Sequence, residues 1–227
     1  TPSLNGQTSE DSYLVMTSSH PEQIGDGVIK SIEFQPLRGG QTLEYGKQLN
    51  GMGVLNFHFD TASGLVVPNG LGAEAVNTAA LTPTPDKLSV FWFNGNKWLQ
   101  LYGKIDTVGQ NVMIQTPYLG TYQLRSAERV GGFNFNSAGI SNRMLTPNGD
   151  GKNDTTVFLF DNPQASEVHG RIFDNRARSV AEMVAGPLIN SLQWDGKSNG
   201  RVAPAGVYIY QIESEGKKFS GTVVLIR

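Results

Sequence analysis

Short runs of alternating apolar and polar residues recur along this chain, separated by turn-forming residues. Leu55, Phe57 and Phe59 alternate with Asn56, His58 and Asp60. That is the period-two pattern of a strand with one face on a core, and it puts His58 on the opposite face. Leu88, Val90 and Trp92 alternate with Ser89, Phe91 and Phe93; after Asn94-Gly95 come Trp98, Leu99, Leu101 and Tyr102. An Asn-Gly pair between two apolar strands predicts a tight hairpin, because both residues tolerate positive φ. Further strands are predicted at 13–16, 28–34, 111–116 and 120–125, the last two flanking Pro117. Residues 71–80 read as one or two helical turns, ended by Thr82-Pro83-Thr84-Pro85. No other stretch has a 3.6-residue period.

A second set of strands is predicted at 155–160, 168–173, 178–184, 206–212 and 219–226, with a hairpin turn at 214–217. Between the two sets lies the run Gly131-Gly132-Phe133-Asn134-Phe135-Asn136-Ser137-Ala138-Gly139, whose Gly and Asn content predicts a linker over 131–141. Residues 1–12 are polar and predict a ragged start. The expected organisation is therefore a β-sandwich over 13–130, the linker, and a second β-sandwich over 142–227. Regularly spaced short strands of this number suit a sandwich. The fold class predicted is all-β, with two antiparallel β-sandwiches in tandem.

Composition narrows the function. Only 17% of the 227 residues are charged and 27 are glycine, which agrees with many strands and many turns. The formal net charge is -2, and the basic residues are scattered, the closest group being Arg171, Arg176 and Arg178. A nucleic-acid binder instead clusters Lys and Arg to displace phosphate counterions, so no nucleic-acid partner is expected. No apolar run reaches the roughly 18 residues of a membrane helix, and Thr1-Pro2-Ser3 opens without the features of a signal peptide. No membrane insertion is expected. The chain has no cysteine, which excludes disulfides, thiolate metal sites and cysteine nucleophiles.

Four motifs in order carry a family resemblance over about 142–227. They are Thr146-Pro147-Asn148-Gly149-Asp150-Gly151-Lys152-Asn153-Asp154; Trp194-Asp195-Gly196; Pro204-Ala205-Gly206-Val207-Tyr208-Ile209-Tyr210; and the closing Ser220-Gly221-Thr222-Val223-Val224-Leu225-Ile226-Arg227. This module resembles the immunoglobulin-like domain of flagellar hook-capping proteins. It is similar, too, to the C-terminal domains of exported bacterial surface proteins associated with gliding motility and type IX secretion. The resemblance implies an immunoglobulin-like sandwich at the C-terminal end of a larger exported protein, serving as a secretion and surface-attachment signal. In one place the chain departs from the pattern. Sorting domains of this kind carry an Asn-Arg-Trp-Gly turn, where this chain has Asp174-Asn175-Arg176-Ala177-Arg178, which keeps a plain structural module as the alternative. Residues 13–130 resemble the repeat sandwich modules that precede such domains, in the run from Trp98 to Leu124 with its Gly120-Thr121-Tyr122 ending.

The candidate metal site is the loop 148–154. Asn148, Asp150 and Asp154, with Asn153, supply closely spaced oxygens of the kind Ca²⁺ takes, and Gly149 and Gly151 let the backbone curl. Thr146 stands where an EF-hand has its first carboxylate and Val157 where it has its last Glu. The competing reading is a pair of tight turns whose side chains bond their own backbone. Trp194 with Asp195 and Gly196 is expected as an aromatic anchor beside a turn. Gly206 opens a strand on which Tyr208 and Tyr210 share one face and Val207 and Ile209 the other.

Other matches carry less. Gly196-Lys197-Ser198-Asn199-Gly200 has Gly-x-Ser-x-Gly spacing without the strand and helix a nucleophile elbow needs. His20, His58 and His169 lack metal spacing, and residues 70–75 lack the βαβ setting of a dinucleotide loop. Phe91, Trp92, Phe93, Trp98 and Tyr102 crowd one hairpin; alternation sends about half to a core, and the rest could face a glycan. No nucleophile, base and orienter can be assembled. The expected function is non-catalytic: an extracellular or bacterial cell-surface module that contacts other surface proteins or copies of itself. The alternatives are a carbohydrate-binding or adhesin module and an accessory region of a secreted hydrolase.

Overall fold

The computed structural model describes residues 14–19, 27–38, 41–42, 48–62, 65–67 and 84–227. The sequence readings for residues 1–12, Tyr13, His20, 70–75 and 71–80 lie outside the described residues. The chain forms two compact units, Thr1–Arg129 and Val130–Arg227. Among the described residues the fold is all-β, with single 3₁₀ turns at Pro85–Lys87 and Ser137–Gly139 and no α-helix.

The first unit contains β1 Leu14–Ser19, β2 Val28–Arg38, β3 Gln41–Thr42, β4 Gln48–His58, β5 Asp60–Ala62, β6 Leu65–Val67, β7 Leu88–Phe93, β8 Trp98–Tyr102, β9 Lys104–Asp106, β10 Asn111–Tyr118 and β11 Gly120–Ser126. One sheet runs β1-β2-β11-β7-β8, with β3 on β2; a second runs β4-β10-β9; β5 and β6 pair separately. All these pairs are antiparallel. The period-two residues Phe57 and Phe59 are buried, as are Val90, Trp92, Tyr122, Leu124, Val112 and Ile114. Phe57 of β4 meets Tyr122 of β11 with ring centroids 6.2 Å apart, so both larger sheets contribute to one core. Pro117 has no N–H to give a ladder, and the β10–β4 register shifts between Thr116 and Tyr118. The Asn94-Gly95 turn differs from the expected form. Gly95 has φ +89, whereas Asn94 keeps a negative φ and acts through its side chain. Its Oδ1 accepts the N–H groups of Asn96 at 3.0 Å and Lys97 at 2.9 Å, making a four-residue connection.

The second unit contains β12 Met144–Leu145, β13 Thr156–Leu159, β14 His169–Phe173, β15 Ser179–Glu182, β16 Val184–Ala185, β17 Ser191–Trp194, β18 Lys197–Ser198, β19 Arg201–Val202, β20 Gly206–Ser214 and β21 Lys217–Leu225. Its sheets run β12-β21-β20-β14-β15 and β13-β17-β16, with the β18–β19 hairpin apart. Every pair is antiparallel except β12 with β21. Phe158, Leu192 and Trp194 from the smaller sheet share a core with Ile172, Tyr208, Tyr210, Ile212, Val223 and Leu225 from the larger.

The segment read as a linker is part of this core. Phe133 and Ile140 are fully buried and Phe135 nearly so. Phe133 packs on Phe160 at 5.4 Å and on Phe219 at 5.8 Å, and Phe135 on Tyr210 at 5.7 Å. Asn134 forms an antiparallel bridge with Asp161. The side chains flanking the β20–β21 turn hold the Phe133 backbone at both polar groups. Glu215 Oε2 accepts its N–H at 2.8 Å, and Lys217 Nζ donates to its carbonyl at 2.8 Å. Composition suggested a linker; the burial of Phe133, Phe135 and Ile140 instead places the segment in the core.

Candidate functional site

The 146–154 loop is satisfied from within. Asp154 Oδ1 accepts Gly149 N–H and Oδ2 accepts Gly151 N–H, each at 2.7 Å. Asn148 Oδ1 accepts Asp150 N–H at 3.1 Å, and Asp150 Oδ1 accepts Lys152 N–H at 2.7 Å. Asn148 Nδ2 donates to Asp150 Oδ2 at 3.0 Å. Asn153 takes part through its backbone, its carbonyl accepting Thr146 N–H at 2.9 Å, and it sits at φ +55. The Lys152 N–H, followed by the Asn148 amide, holds the Asp150 carboxyl below its ordinary pKa. The loop thus has the geometry of consecutive Asx turns. Among the described residues, no three His, Asp or Glu side chains are gathered in a way that could hold a metal ion.

Trp194, Asp195, Gly196, Gly206 and Tyr208 lie around the start of β20. Trp194 is 3% exposed; its Nε1 donates to Lys197 O at 3.0 Å and its ring lies 5.1 Å from that of Tyr208. Asp195 Oδ1 accepts Lys197 N–H at 3.0 Å and Oδ2 pairs with Lys197 Nζ at 2.9 Å. Gly196 has φ +74, and a Cβ there would stand 3.1 Å from Leu225 Cδ1 and from Pro147 Cγ, so a side chain would be strained in its backbone and would press on both neighbours. Gly206 is exposed with open space around it. The Gly-x-Ser-x-Gly segment is a hairpin. Asn199 and Gly200, at φ +50 and +77, join β18 to β19 in the left-handed conformation of a primed turn.

The same device recurs in both units. In Gly120-Thr121-Tyr122 and in Gly206-Val207-Tyr208 the tyrosine is the third residue of its strand. Tyr122 OH donates to Tyr118 O at 2.7 Å, and Tyr208 OH donates to Pro204 O at 2.6 Å. Each hydroxyl reaches a carbonyl four residues upstream and pins the chain just before its strand. Burial pushes both phenols above their ordinary pKa.

At the turn where the chain departs from the sorting-domain pattern, Asp174 takes over. Its Oδ1 accepts the N–H groups of Arg176 and Arg178, each at 2.9 Å; its Oδ2 pairs with Arg178 Nη2 at 2.7 Å. The Arg178 N–H is the largest of the influences that lower its pKa. Ala177 occupies the left-handed region at φ +60. His58 and His169 are exposed, 3.4 Å from Asp60 and 3.5 Å from Glu167 respectively, and belong to different units.

With this geometry in place, comparison with known proteins is decisive for the second unit. Residues 138–225 match the CHU_C type IX secretion signal domain. The C-terminal region is thereby an export-targeting region, of a kind carried by proteins bound for the cell surface or the exterior. The signal-domain match begins at Ala138, inside the segment whose preceding rings, Phe133 and Phe135, complete the core. No curated protein matches the chain. No helix among the described residues is long and apolar enough to cross a membrane, a statement that does not bear on strands.

Around the β7–β8 hairpin the rings divide between two faces. Trp92 and Tyr102 are buried, Trp92 stacking on Tyr118 at 4.4 Å. Phe91, Phe93 and Trp98 remain partly exposed. Sequence reasoning passed over Arg125, which lies on that second face, and over Glu215 and Lys217; only their side-chain reach reveals them.

Proposed function

We propose that this chain is the C-terminal part of an exported, non-catalytic bacterial surface protein. In this reading the second unit is an immunoglobulin-like sandwich carrying the type IX export signal, and the first unit is a second sandwich that contacts other surface proteins or copies of itself. The observation that carries the export reading is the signal-domain match over 138–225. The paired tyrosine hydroxyl bonds at Tyr122 and Tyr208 support the sandwich reading of both units, since immunoglobulin-like domains fix a strand entry with a tyrosine of this kind. A folded, rigid domain suits recognition of shape by an export apparatus, because little ordering entropy is lost on binding.

The test is fractionation of cells that express the chain in a type IX-competent strain and in the same strain with that pathway inactivated. The reading expects the protein at the surface or in the medium only in the competent strain. Equal delivery from both would reject it. A second reading, a carbohydrate-binding module, is favoured by one observation: Phe91, Phe93 and Trp98 lie partly exposed on one sheet face beside Arg125.

A further inference from the structure

Strand register places Ser31, Gln123, Phe91 and Gln100 in one row across β2, β11, β7 and β8. Arg125 and Trp98 lie on the same face. The opposite face carries Val90, Trp92, Leu99, Tyr122 and Leu124 into the core. On the face of Arg125, Ser31, Ser89 and Gln123 are buried, whereas Phe91, Phe93, Trp98 and Arg125 itself are partly exposed. The Arg125 Cζ stands 4.3 Å from the Trp98 ring centroid and 4.8 Å from that of Phe91. Its Nε donates to Gln123 Oε1 at 2.7 Å, and Gln123 Nε2 donates to Ser31 Oγ at 3.3 Å. The guanidinium is thus held by two rings and one amide, with its orientation fixed before any ligand arrives.

No anion faces it among the described residues. The two η nitrogens have no acceptor among the described residues, and no described carboxylate pairs with them. Arg125 is partly buried, and that burial depresses its pKa. A partly desolvated cation without a counter-charge is unfavourable, and a guanidinium presents a fork that matches a planar carboxylate in two parallel bonds. The surroundings suit a sugar. Phe93 and Trp98 stand 5.3 Å apart as an apolar wall. Gln100, whose Nε2 is bonded to Ser89 Oγ at 3.2 Å, leaves Oε1 without a partner among the described residues, free to accept from a hydroxyl.

We propose that Arg125 is a binding site for the carboxylate of an acidic glycan, a uronate, with Trp98 and Phe93 as the wall for the sugar ring. The site rests on the carbohydrate-binding reading of the first unit and adds its ligand class and the residue that selects it. The test is calorimetric titration of the full chain with trigalacturonate, with neutral galactotriose and with a tetraglutamate peptide. Trigalacturonate is expected to bind more tightly than the other two. Arg125→Gln is expected to lower that affinity about 10- to 100-fold, the scale of a charge-assisted hydrogen-bonded pair. Arg125→Lys, which keeps charge and loses the fork, is expected to bind more weakly than the parent chain. Melting temperatures check that each variant folds, and the three-ligand comparison on the unaltered chain needs no variant. Equal binding of the uronate and the neutral sugar, or an unchanged affinity in a folded Arg125→Gln, overturns the carboxylate site while leaving carbohydrate binding in place. Tighter binding of the peptide, or no binding of either sugar, overturns both.

Discussion

Truncation of Phe133 to alanine is the sharpest structural test, because it separates a linker from a core element. The side chain is fully buried against Phe160 and Phe219. Removing a buried phenylalanine costs about 3–5 kcal/mol, combining lost transfer energy with the cavity left behind. The bonds from Glu215 and Lys217 reach the Phe133 backbone and survive the substitution, so the loss reports the ring alone. In a unit of roughly 100 residues each kcal/mol moves the melting temperature by about 4–8 °C. The transition of Val130–Arg227 is therefore expected to fall by at least about 12 °C in a scanning calorimeter. Val130→Ala, at a 62% exposed position, is the control and should leave the transition in place. A Phe133→Ala protein that melts within about two degrees of the parent, the size of an ordinary surface substitution, would refute the claim that the 131–141 segment belongs to the core.

Other outcomes follow from the same geometry. Trp194→Ala should cost about 3–5 kcal/mol by differential calorimetry, because a buried indole bonded to Lys197 O is lost; a shift of a degree or two would show the ring to be dispensable. Ala177→Gly should stabilise by about 0.5–1 kcal/mol in urea titration, since the relief at φ +60 exceeds the added freedom of the unfolded chain; destabilisation would mean the turn tolerates alanine without strain. The backbone N–H groups of Lys152, Arg178 and Phe133 hold the Asp150, Asp174 and Glu215 carboxyls, respectively, below their ordinary pKa values. Their stabilisation is therefore present in full above those values and lost as pH falls through the folded ones, so melting temperature should hold near pH 6 and drop below about pH 4. Glu215→Gln should shrink that drop, and an identical acid profile would exclude Glu215 from it. Finally, if the self-bonded 146–154 loop is a pair of turns only, millimolar Ca²⁺ leaves the melting temperature unchanged; a rise that Asp150→Ala abolishes would instead establish the ion site.

Much of the architecture was legible because it follows period-two alternation. Phe57 and Phe59, Val90 and Trp92, and Tyr208 and Tyr210 all point where that period puts them. The segment 131–141 was misread because its glycines and asparagines were weighed above Phe133 and Phe135, which themselves alternate. Asn94-Gly95 was read by its dihedral tolerance, whereas Asn94 acts as a hydrogen-bond acceptor. The primed turn the sequence also contained, Asn199-Gly200, hid inside a Gly-x-Ser-x-Gly pattern. The loop at 148–154 offered two readings with identical residues; its side chains bond its own backbone, and the calcium titration above is what separates the two. The Gly-x-Tyr pair common to both units was visible as sequence, but its meaning lay in a hydroxyl reaching four residues back. Arg125 carried no signal, since neither spacing nor composition reveals that a side chain crosses two strands to lie on Trp98.

The central claim is that the export information resides in the second unit. The most direct measurement compares the full chain, a chain lacking 130–227 and a chain lacking 1–129. All three are expressed behind one common leader in a type IX-competent bacterium and quantified at the surface and in the medium. The account predicts that the full chain and the chain retaining Val130–Arg227 reach the outside, while the chain without it stays in the cell. Delivery of the chain lacking 130–227 at the level of the full chain would contradict it.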